Sequence, residues 1–450
     1  MVTIFSIIVI VCVGTLIYKK FNPQTSLLIG GILMMAAATL MGEGTALPES
    51  ASSGNQWLDI FTFIKNTTSK TVSSLGLVIM AVGGFAKYMD HVGASRALVA
   101  IAIKPLGYFK SPYLVMAMGY IMGQILNIFI PSASGLGLLL MVTLYPILVR
   151  LGVSKMSGVA VIATAACLDL GPASGNANLA AETSKLAVTD YFLQYQLPVA
   201  AVTMLTIAVL HYFVQQWFDK KITADENTEI QVEDNAANPP MWYALLPMIP
   251  LALIMTLSPM VFEGIKIDVV TAMFISIAVA MICEGVRFGA KNVFKDIFIY
   301  FDSMGKQFAR VVTLVIAGQT FAHGMKVTGL LDSVIQFAVN ANIAPALMVI
   351  MMVIIIAFAA ILMGSGNAPF FSFAAMVPEI ANKVGINPVA MLMPMQLASG
   401  IARSMSPITG AIVAVAGVAD VSPFELVKRT AIPMIGALVV STAASLIIGL

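Results

Sequence analysis

The sequence predicts an all-α membrane protein: a polytopic helical bundle of two inverted repeats, each with a re-entrant hairpin and a broken transmembrane helix. Three observations support this class. Hydrophobic residues make up 59% of the chain and charged residues only 10%, whereas a soluble domain carries roughly 25% charged residues. The apolar residues form runs of about 16 to 20, the length of a helix that crosses a bilayer. Finally, several landmarks of the first half recur in the second.

Charge and cysteine content exclude other classes of protein. The net charge is only +2, and the basic residues are scattered between apolar runs, so we expect no binding of nucleic acid. Cys12, Cys167 and Cys283 lie inside apolar segments without metal-ligand spacing. Because the chain also has no HExxH, GxSxG or paired-aspartate motif, we expect neither an enzyme nor a cofactor. The first run, 3–18, has no small-residue cleavage site, which favours a retained helix over a signal peptide.

The repeat rests on four landmarks that occur twice in the same order, 233 to 237 residues apart. They pair 59–63 with 296–300, 85–93 with 321–329, 131–141 with 364–373, and 171–181 with 404–414. Duplication of this kind is common in transporters. We therefore expect a first repeat at 1–218 and a second at 241–450. Between them, 219–240 reads as an acidic cytoplasmic linker, although an acidic run could also bind a partner.

Each half reads as five crossings plus one hairpin, and an odd number of crossings inverts the second copy relative to the first. The crossings are 3–18, 24–42, 73–90, 156–188, 195–217, 242–259, 269–286, 311–327, 389–416 and 430–450, with hairpins at 112–150 and 345–382. Amphipathic pieces near 57–65 and 292–301 are expected to lie along the membrane interface, although they could also be membrane arms that brace a moving part. Alternate assignment of loops places sixteen of the 24 Lys and Arg residues on one side and seven on the other, with Arg403 inside the membrane. The positive-inside rule makes the richer side cytoplasmic and both termini periplasmic.

Four polar interruptions fall within the apolar segments. Irregular backbone is tolerated at membrane depth only where it is buried in protein or lines a wet cavity, so four interruptions in symmetric register predict one substrate site. A single Ser-Gly pair could instead serve close helix packing. The candidate residues are Ser132, Ser134 and Gly135, and Ser365, Gly366 and Asn367, at the hairpin tips, and Ser174, Gly175 and Asn176, and Ser406, Pro407 and Thr409, at the helix breaks.

The chemistry expected of such a site is an anion with a coupling ion. Exposed N–H groups and the positive end of a helix favour a carboxylate, while freed carbonyls and hydroxyls can hold a cation. Asp169 and Arg403 stand beside the breaks, where an ionisable residue is functional by default. Arg403 is expected to hold a substrate carboxylate, and Asp169, Asn178 and Ser404 are candidates for the coupling proton or sodium ion. Asp169 and Arg403 could alternatively pair with each other as a structural ion pair.

Several motifs are also familiar. GSGNAPFFSFAAMVPEIANKVGINP at 364–388 and SPITGAIVAVAGVADVSPFELVKRTAIP at 406–433, with SPYLVMAMGY and PSASGLGLLLM in the first half, resemble the anaerobic C4-dicarboxylate carriers of the DcuC family. The resemblance implies a bacterial inner-membrane carrier of succinate, fumarate and malate, coupled to protons, whose transport domain moves like an elevator against a scaffold. It implies roles for Ser365, Gly366, Asn367, Arg403 and the break at 406–409. We also expect a homodimer.

Other functions remain open at the level of the sequence. An ion channel would need a continuous polar path, whereas the interruptions cluster at one depth. A carrier of a monocarboxylate or an amino acid with the same fold is the strongest alternative.

Overall fold

The computed structural model describes residues 2–19, 21–220, 239–257, 267–340 and 344–449, and the regular secondary structure of these residues is helical. Most of the predicted linker, residues 221–238, lies outside the described ranges, as does the end of the predicted crossing 242–259. The all-α class is confirmed.

Twelve α-helices form the described part of the first half. They are α1 (Val2–Tyr18), α2 (Pro23–Met41), α3 (Gln56–Thr71), α4 (Leu77–His91), α5 (Ala94–Ile103), α6 (Pro112–Phe129), α7 (Ala133–Thr143), α8 (Tyr145–Arg150), α9 (Lys155–Thr164), α10 (Gly175–Thr183), α11 (Val188–Asp190) and α12 (Leu197–Asp219).

The described part of the second half begins with a 3-10 helix over Met241–Met248, and eleven α-helices follow. They are α13 (Ile249–Thr256), α14 (Val269–Phe288), α15 (Ala290–Gln307), α16 (Thr313–Val327), α17 (Leu330–Asn340), α18 (Pro345–Met363), α19 (Asn367–Ala374), α20 (Val377–Val384), α21 (Pro388–Arg403), α22 (Gly410–Val418) and α23 (Pro423–Gly449).

The order of elements repeats along the chain. The hairpin α6–α7 has its counterpart in α18–α19, the broken pair α9 and α10 in α21 and α22, and the long helix α12 in α23. Proline opens α6, α18 and α21, where its fixed φ suits the first helical turn and its missing N–H leaves no bond unmade. The inverted orientation of the two halves stays a prediction.

Seven helices in the described residues are long and apolar enough to cross a membrane. They are Pro23–Met41, Gln56–His91, Pro112–Phe129, Val188–Asp219, Val269–Phe288, Pro345–Met363 and Pro423–Ile448. One face of α12 exposes apolar residues and the opposite face buries polar ones. The exposed face carries Val202, Leu205, Val209 and Phe213, and the buried face Thr203, His211 and Gln215. This pattern suits a helix that faces lipid outside and a polar interior inside.

The two amphipathic pieces form helices α3 and α15, and their place along the membrane interface stays a prediction. Each continues directly into the next crossing through a π-helical turn, at 72–76 between α3 and α4 and at 308–312 between α15 and α16. Each arm also packs against the opposite half, because α15 lies along α4 and α3 contacts α16. The close fit of α15 requires glycine at Gly84, whose added Cβ would meet Met304 and Tyr300 at 2.9 Å.

The helices form two packed groups. The hairpins and broken helices pack with one another and with α12 and α23, whereas α1–α5 pack with α13–α16. Helices α12 and α23 join the group of hairpins and broken helices, because Tyr191 and Gln196 just before α12 donate to Gln396 of α21, and Thr430 of α23 donates to the Ser404 carbonyl.

Candidate functional site

The four polar interruptions meet around one cavity of about 270 Å³. Both hairpin tips and both helix breaks contribute to its wall, as the sequence predicts. The predicted residues that line it are Ser132, Ser134, Asp169, Ser174, Gly175, Asn176, Ser365, Gly366, Asn367, Arg403 and Thr409.

Four helices begin at this cavity: α7, α10, α19 and α22. Serine hydroxyls accept from free N–H groups in the first turns: Ser132 from Gly135, Ser174 from Ala177, and Ser365 from Ala368. Helix N-termini carry a partial positive charge and unpaired N–H groups. Four of them around one cavity make an environment that favours an anion.

A buried ion pair crosses between the two breaks. Nη2 of Arg403 lies 2.7 Å from Oδ1 of Asp169 and also donates to the carbonyl of Ala166 at 2.8 Å. The amide of Asn176 donates to the second carboxylate oxygen of Asp169 at 2.9 Å. The two charged side chains are only 12% and 15% exposed. Asp169 and Arg403 therefore form an ion pair with each other, as one of the two readings of the sequence predicts.

Asp169 adopts an uncommon backbone conformation, with φ of 49°. Two buried glutamines hold the backbone there. Gln396 donates to the carbonyls of Leu168 and Asp169, and Gln196 donates to the carbonyl of Asp169 and to the side-chain oxygen of Gln396. They satisfy carbonyls that the broken helix leaves free. Sequence reasoning missed both residues, although a glutamine within an apolar run is itself a signal.

The opposite break approaches Asp169 closely. A Cβ on Gly400 would lie 2.3 Å from the Cys167 carbonyl and 2.9 Å from Oδ2 of Asp169, so only glycine fits there. A Cβ on Gly366 would likewise meet the Ser399 carbonyl at 2.5 Å. The tip of the second hairpin therefore packs directly on the helix that carries Arg403.

The cavity wall also includes buried acceptors without partners in the described residues. The side-chain oxygens of Asn127 and Asn176 have no hydrogen bond, and both residues are 2% exposed. Asn127, near the end of α6, is a further site residue that the sequence analysis missed. Unsatisfied buried polar atoms are costly and point to a ligand or water.

Five predicted residues do not line the cavity. Gly135 lies in the first turn of α7, Pro407 is half-buried behind the break, and Ser406 is fully buried with a hydroxyl that lacks a partner in the described part of the chain. The amide of Asn178 donates to the carbonyls of Pro172 and Ser174, and Ser404 donates to the Gly400 carbonyl. These contacts bind Asn178 and Ser404 to the protein backbone rather than to the cavity.

A second buried ion pair lies within the same group of helices, and the sequence analysis missed it. Nη1 of Arg429 lies 2.7 Å from Oδ1 of Asp219, at the junction of α23 and α12. Hydroxyls of Ser154, Ser157 and Tyr113 also donate to this carboxylate. Arg429 lies within α23, outside the predicted crossing 430–450, and Asp219 ends α12 rather than beginning the linker predicted at 219–240.

Two further cavities lie between the two groups of helices. One of about 250 Å³ adjoins the site, sharing Pro131, Ser132, Gly175 and Asn367 with it, and Lys87 and Asp90 line its far wall. The other, about 410 Å³, lies at the far ends of α10 and α19 and holds His323, Lys326 and Glu379. In the aligned repeats, Lys87 and Asp90 correspond to His323 and Lys326.

Helices able to cross a membrane, with a polar cavity built from hairpin tips and broken helices, define a polytopic membrane transporter. The family model of the C4-dicarboxylate anaerobic carriers (DcuC) matches residues 1–449. The anaerobic C4-dicarboxylate transporter DcuC of Escherichia coli K12 is 35% identical over 446 residues, which cover 98% of this chain and 95% of that protein. The probable anaerobic C4-dicarboxylate transporter DcuC of Vibrio cholerae is 33% identical over 441 residues, with coverage of 97% and 95%.

The chain therefore belongs to the C4-dicarboxylate anaerobic carrier family, as its motifs predict. It is a multi-pass membrane protein, and the prediction that it is not an enzyme is confirmed by relatives that are named as transporters.

Two solved transporters share the fold. The crystal structure of the Alcanivorax borkumensis YdaH transporter gives a TM-score of 0.64 at 17% identity and covers 95% of this chain and 98% of that one. Neisseria gonorrhoeae MtrF gives a TM-score of 0.62 at 13% identity and covers 95% of each chain.

Proposed function

We propose that this protein is a secondary active transporter of C4-dicarboxylates such as succinate, fumarate and malate, in the bacterial inner membrane. The observation that carries the proposal is the site itself, where one arginine and four helix N-termini face one cavity. A dicarboxylate needs counter-charge in a low-dielectric site, and guanidinium binds a carboxylate by two parallel hydrogen bonds. The partial positive charge of the helix N-termini stabilises the second carboxylate.

The proposed transport cycle is alternating access of the elevator type. The group built from α6–α12 and α18–α23 moves as one body against α1–α5 and α13–α17. Two features support this assignment: buried hydrogen bonds join α12 and α23 to the broken helices, and two cavities lie on the boundary between the groups. We also propose coupling to a proton or a sodium ion, a homodimer, periplasmic termini, and two repeats divided by a linker that follows Asp219 and ends at 240.

A carrier of a monocarboxylate or an amino acid is the competing function. Uptake and counterflow of labelled succinate by purified protein in liposomes separates the two. We expect unlabelled fumarate and malate to compete with succinate, and acetate and neutral amino acids not to compete. Transport of acetate or of an amino acid in preference to succinate would contradict the proposal.

A further inference from the structure

The guanidinium of Arg403 uses only part of its hydrogen-bonding capacity. Its contacts to Asp169 and to the Ala166 carbonyl both come from Nη2. Within the described residues, Nη1 and Nε make no hydrogen bond to protein, although Arg403 lines the cavity. The contact between Arg403 and Asp169 is therefore monodentate, whereas arginine and a carboxylate often form two parallel hydrogen bonds. The remaining guanidinium nitrogens are therefore available to the carboxylate of a ligand.

The carboxylate of Asp169 reaches the cavity as well. Asp169 and Asn176 both line it, and Asn176 binds the carboxylate oxygen that Arg403 leaves free. The cavity wall thus already includes one carboxylate bound to the arginine. Pairing stabilises both charges, because an isolated buried ion is destabilising unless water reaches it.

Resting on the proposed function, we propose that Asp169 is an internal substitute for substrate: a dicarboxylate displaces it from Arg403, and the freed carboxylate takes up one proton from solution. Before binding, the pair sums to zero charge. After binding, Arg403 carries one substrate carboxylate, Asp169 is a neutral acid, and one substrate charge remains to face the helix N-termini. No covalent bond changes, and the proton is the coupling ion.

This exchange couples substrate binding to proton binding in both directions of the cycle. When substrate leaves, Asp169 binds Arg403 again, so the site is neutral and the carrier can return across the membrane with its charges paired. The loaded site keeps Arg403 paired through substrate, while protonation removes one of the competing negative charges. A proton is therefore taken up with each substrate and released with it.

Other titratable groups near Asp169 must be distinguished from it. They are Arg403 on α21, Cys167 in the same break, Tyr120 on α6, Tyr191 before α12, and Lys87 and Asp90 on α4 in the adjoining cavity. Asp90 is the matched control, because it is also a carboxylate beside the substrate path but makes no contact with Arg403.

The test is calorimetry of succinate binding to purified protein in pairs of buffers with different ionisation enthalpies, between about pH 7 and pH 8, where free carboxylates are ionised. We expect about one proton bound per succinate, and affinity that falls about tenfold for each pH unit across this range. Asp169→Asn should bind succinate without proton uptake and with affinity independent of pH. It should also bind more tightly than wild type at the highest pH, because the competing carboxylate is gone. Asp169→Glu and Asp90→Asn should each retain about one proton.

Succinate binding by wild type without proton uptake would overturn the inference and leave the proposed function standing. Loss of proton uptake in Asp90→Asn, with Asp169→Asn unchanged, would also overturn it. Absence of succinate binding by stable wild-type protein would instead contradict the proposed function itself. The wild-type proton count decides the matter even if Asp169→Asn does not fold.

Discussion

Two buried aspartate–arginine pairs lie in the same group of helices. In each, the aspartate comes from the first half of the chain and the arginine from the second, and the charged atoms are 2.7 Å apart. Their surroundings differ. Asp219 and Arg429 are sealed, with side chains 10% and 6% exposed, and serine and tyrosine hydroxyls complete the shell. Asp169 and Arg403 line a cavity, and among the described residues the Asp169 carboxylate accepts from Arg403 and Asn176.

This difference shows how one kind of interaction serves two purposes. A pair whose every lone pair is satisfied by protein holds helices together but has nothing to offer a ligand. A pair that borders a cavity can exchange partners with a ligand. Proximity and charge are the same at both sites, so the neighbouring hydroxyls and the access to the cavity make the distinction.

The largest effect is expected at the sealed pair. Arg429→Met leaves the Asp219 carboxylate buried without its partner, which should cost about 3 to 5 kcal/mol of folding free energy. Thermal unfolding in detergent, followed by size-exclusion chromatography, measures the loss. The double variant Arg429→Met with Asp219→Asn should recover part of it, because no unpaired charge remains. An unchanged melting temperature in Arg429→Met would show that the pair contributes nothing to the core.

At the open pair, affinity should change more than stability. Arg403→Lys replaces a planar guanidinium by an ammonium and should weaken succinate binding by about 1.5 to 3 kcal/mol, or roughly ten- to a hundredfold. Arg403→Gln should abolish binding while the protein remains folded, since the cavity lets water reach Asp169. Equilibrium binding and detergent stability, measured on the same preparations, separate the two effects.

The double variant Arg403→Gln with Asp169→Asn tests the competing structural account of this pair. If the pair serves only folding, removal of both charges should restore succinate transport. If Arg403 binds substrate, the double variant should be as stable as wild type and still fail to bind. Restored transport would therefore refute the substrate role of Arg403.

The backbone support of Asp169 should show an intermediate effect. Gln396→Leu keeps the approximate volume of the side chain but leaves the Leu168 carbonyl and the Gln196 amide without their partner, at about 1 to 3 kcal/mol. Stability should fall, and succinate affinity should fall with it, because Asp169 and Ala166 lose their fixed positions around Arg403. Gln396→Glu can still accept from Gln196 but cannot donate to the Leu168 and Asp169 carbonyls, so it should not restore stability or affinity. Wild-type affinity and stability in Gln396→Leu would contradict a positioning role.

The sequence predicted the parts of the site that disturb an apolar pattern. Ser132, Ser174, Ser365 and Thr409 stand in Gly- and Ser-rich interruptions, which are costly in a membrane unless they serve a purpose. The same reasoning identified Asp169 and Arg403 as paired or functional, but could not decide between these roles, because both follow from one charge beside one break.

The missed residues share a different property. Gln196, Gln396 and Asn127 are single polar side chains within helices, and their importance depends on which free carbonyl or cavity lies opposite, which only the tertiary structure shows. Arg429 was missed for another reason. The predicted crossing begins at 430, whereas α23 begins at Pro423, so Arg429, the seventh residue of the helix, falls outside the predicted crossing.

The smallest effect is expected at an ion pair that is partly exposed to solvent. Lys326 and Glu379 lie 3.1 Å apart across the boundary between the two groups of helices, but their side chains are 56% and 24% exposed. Exposed pairs contribute only about 0 to 1 kcal/mol, and salt screens them. Lys326→Gln should therefore change the equilibrium between the two facing states of the transport cycle less than about fivefold, and the change should vanish at high salt.

The labelling rate of a thiol introduced by Thr183→Cys, in the cavity that holds this pair, measures this equilibrium. Lys306→Gln, which breaks the exposed pair of Lys306 with Asp302 inside one helix, is the matched control and should leave the rate unchanged. A change above tenfold in Lys326→Gln would mean that this pair holds the two groups together despite its exposure, and that burial is a poor guide to which ion pairs control the transport cycle.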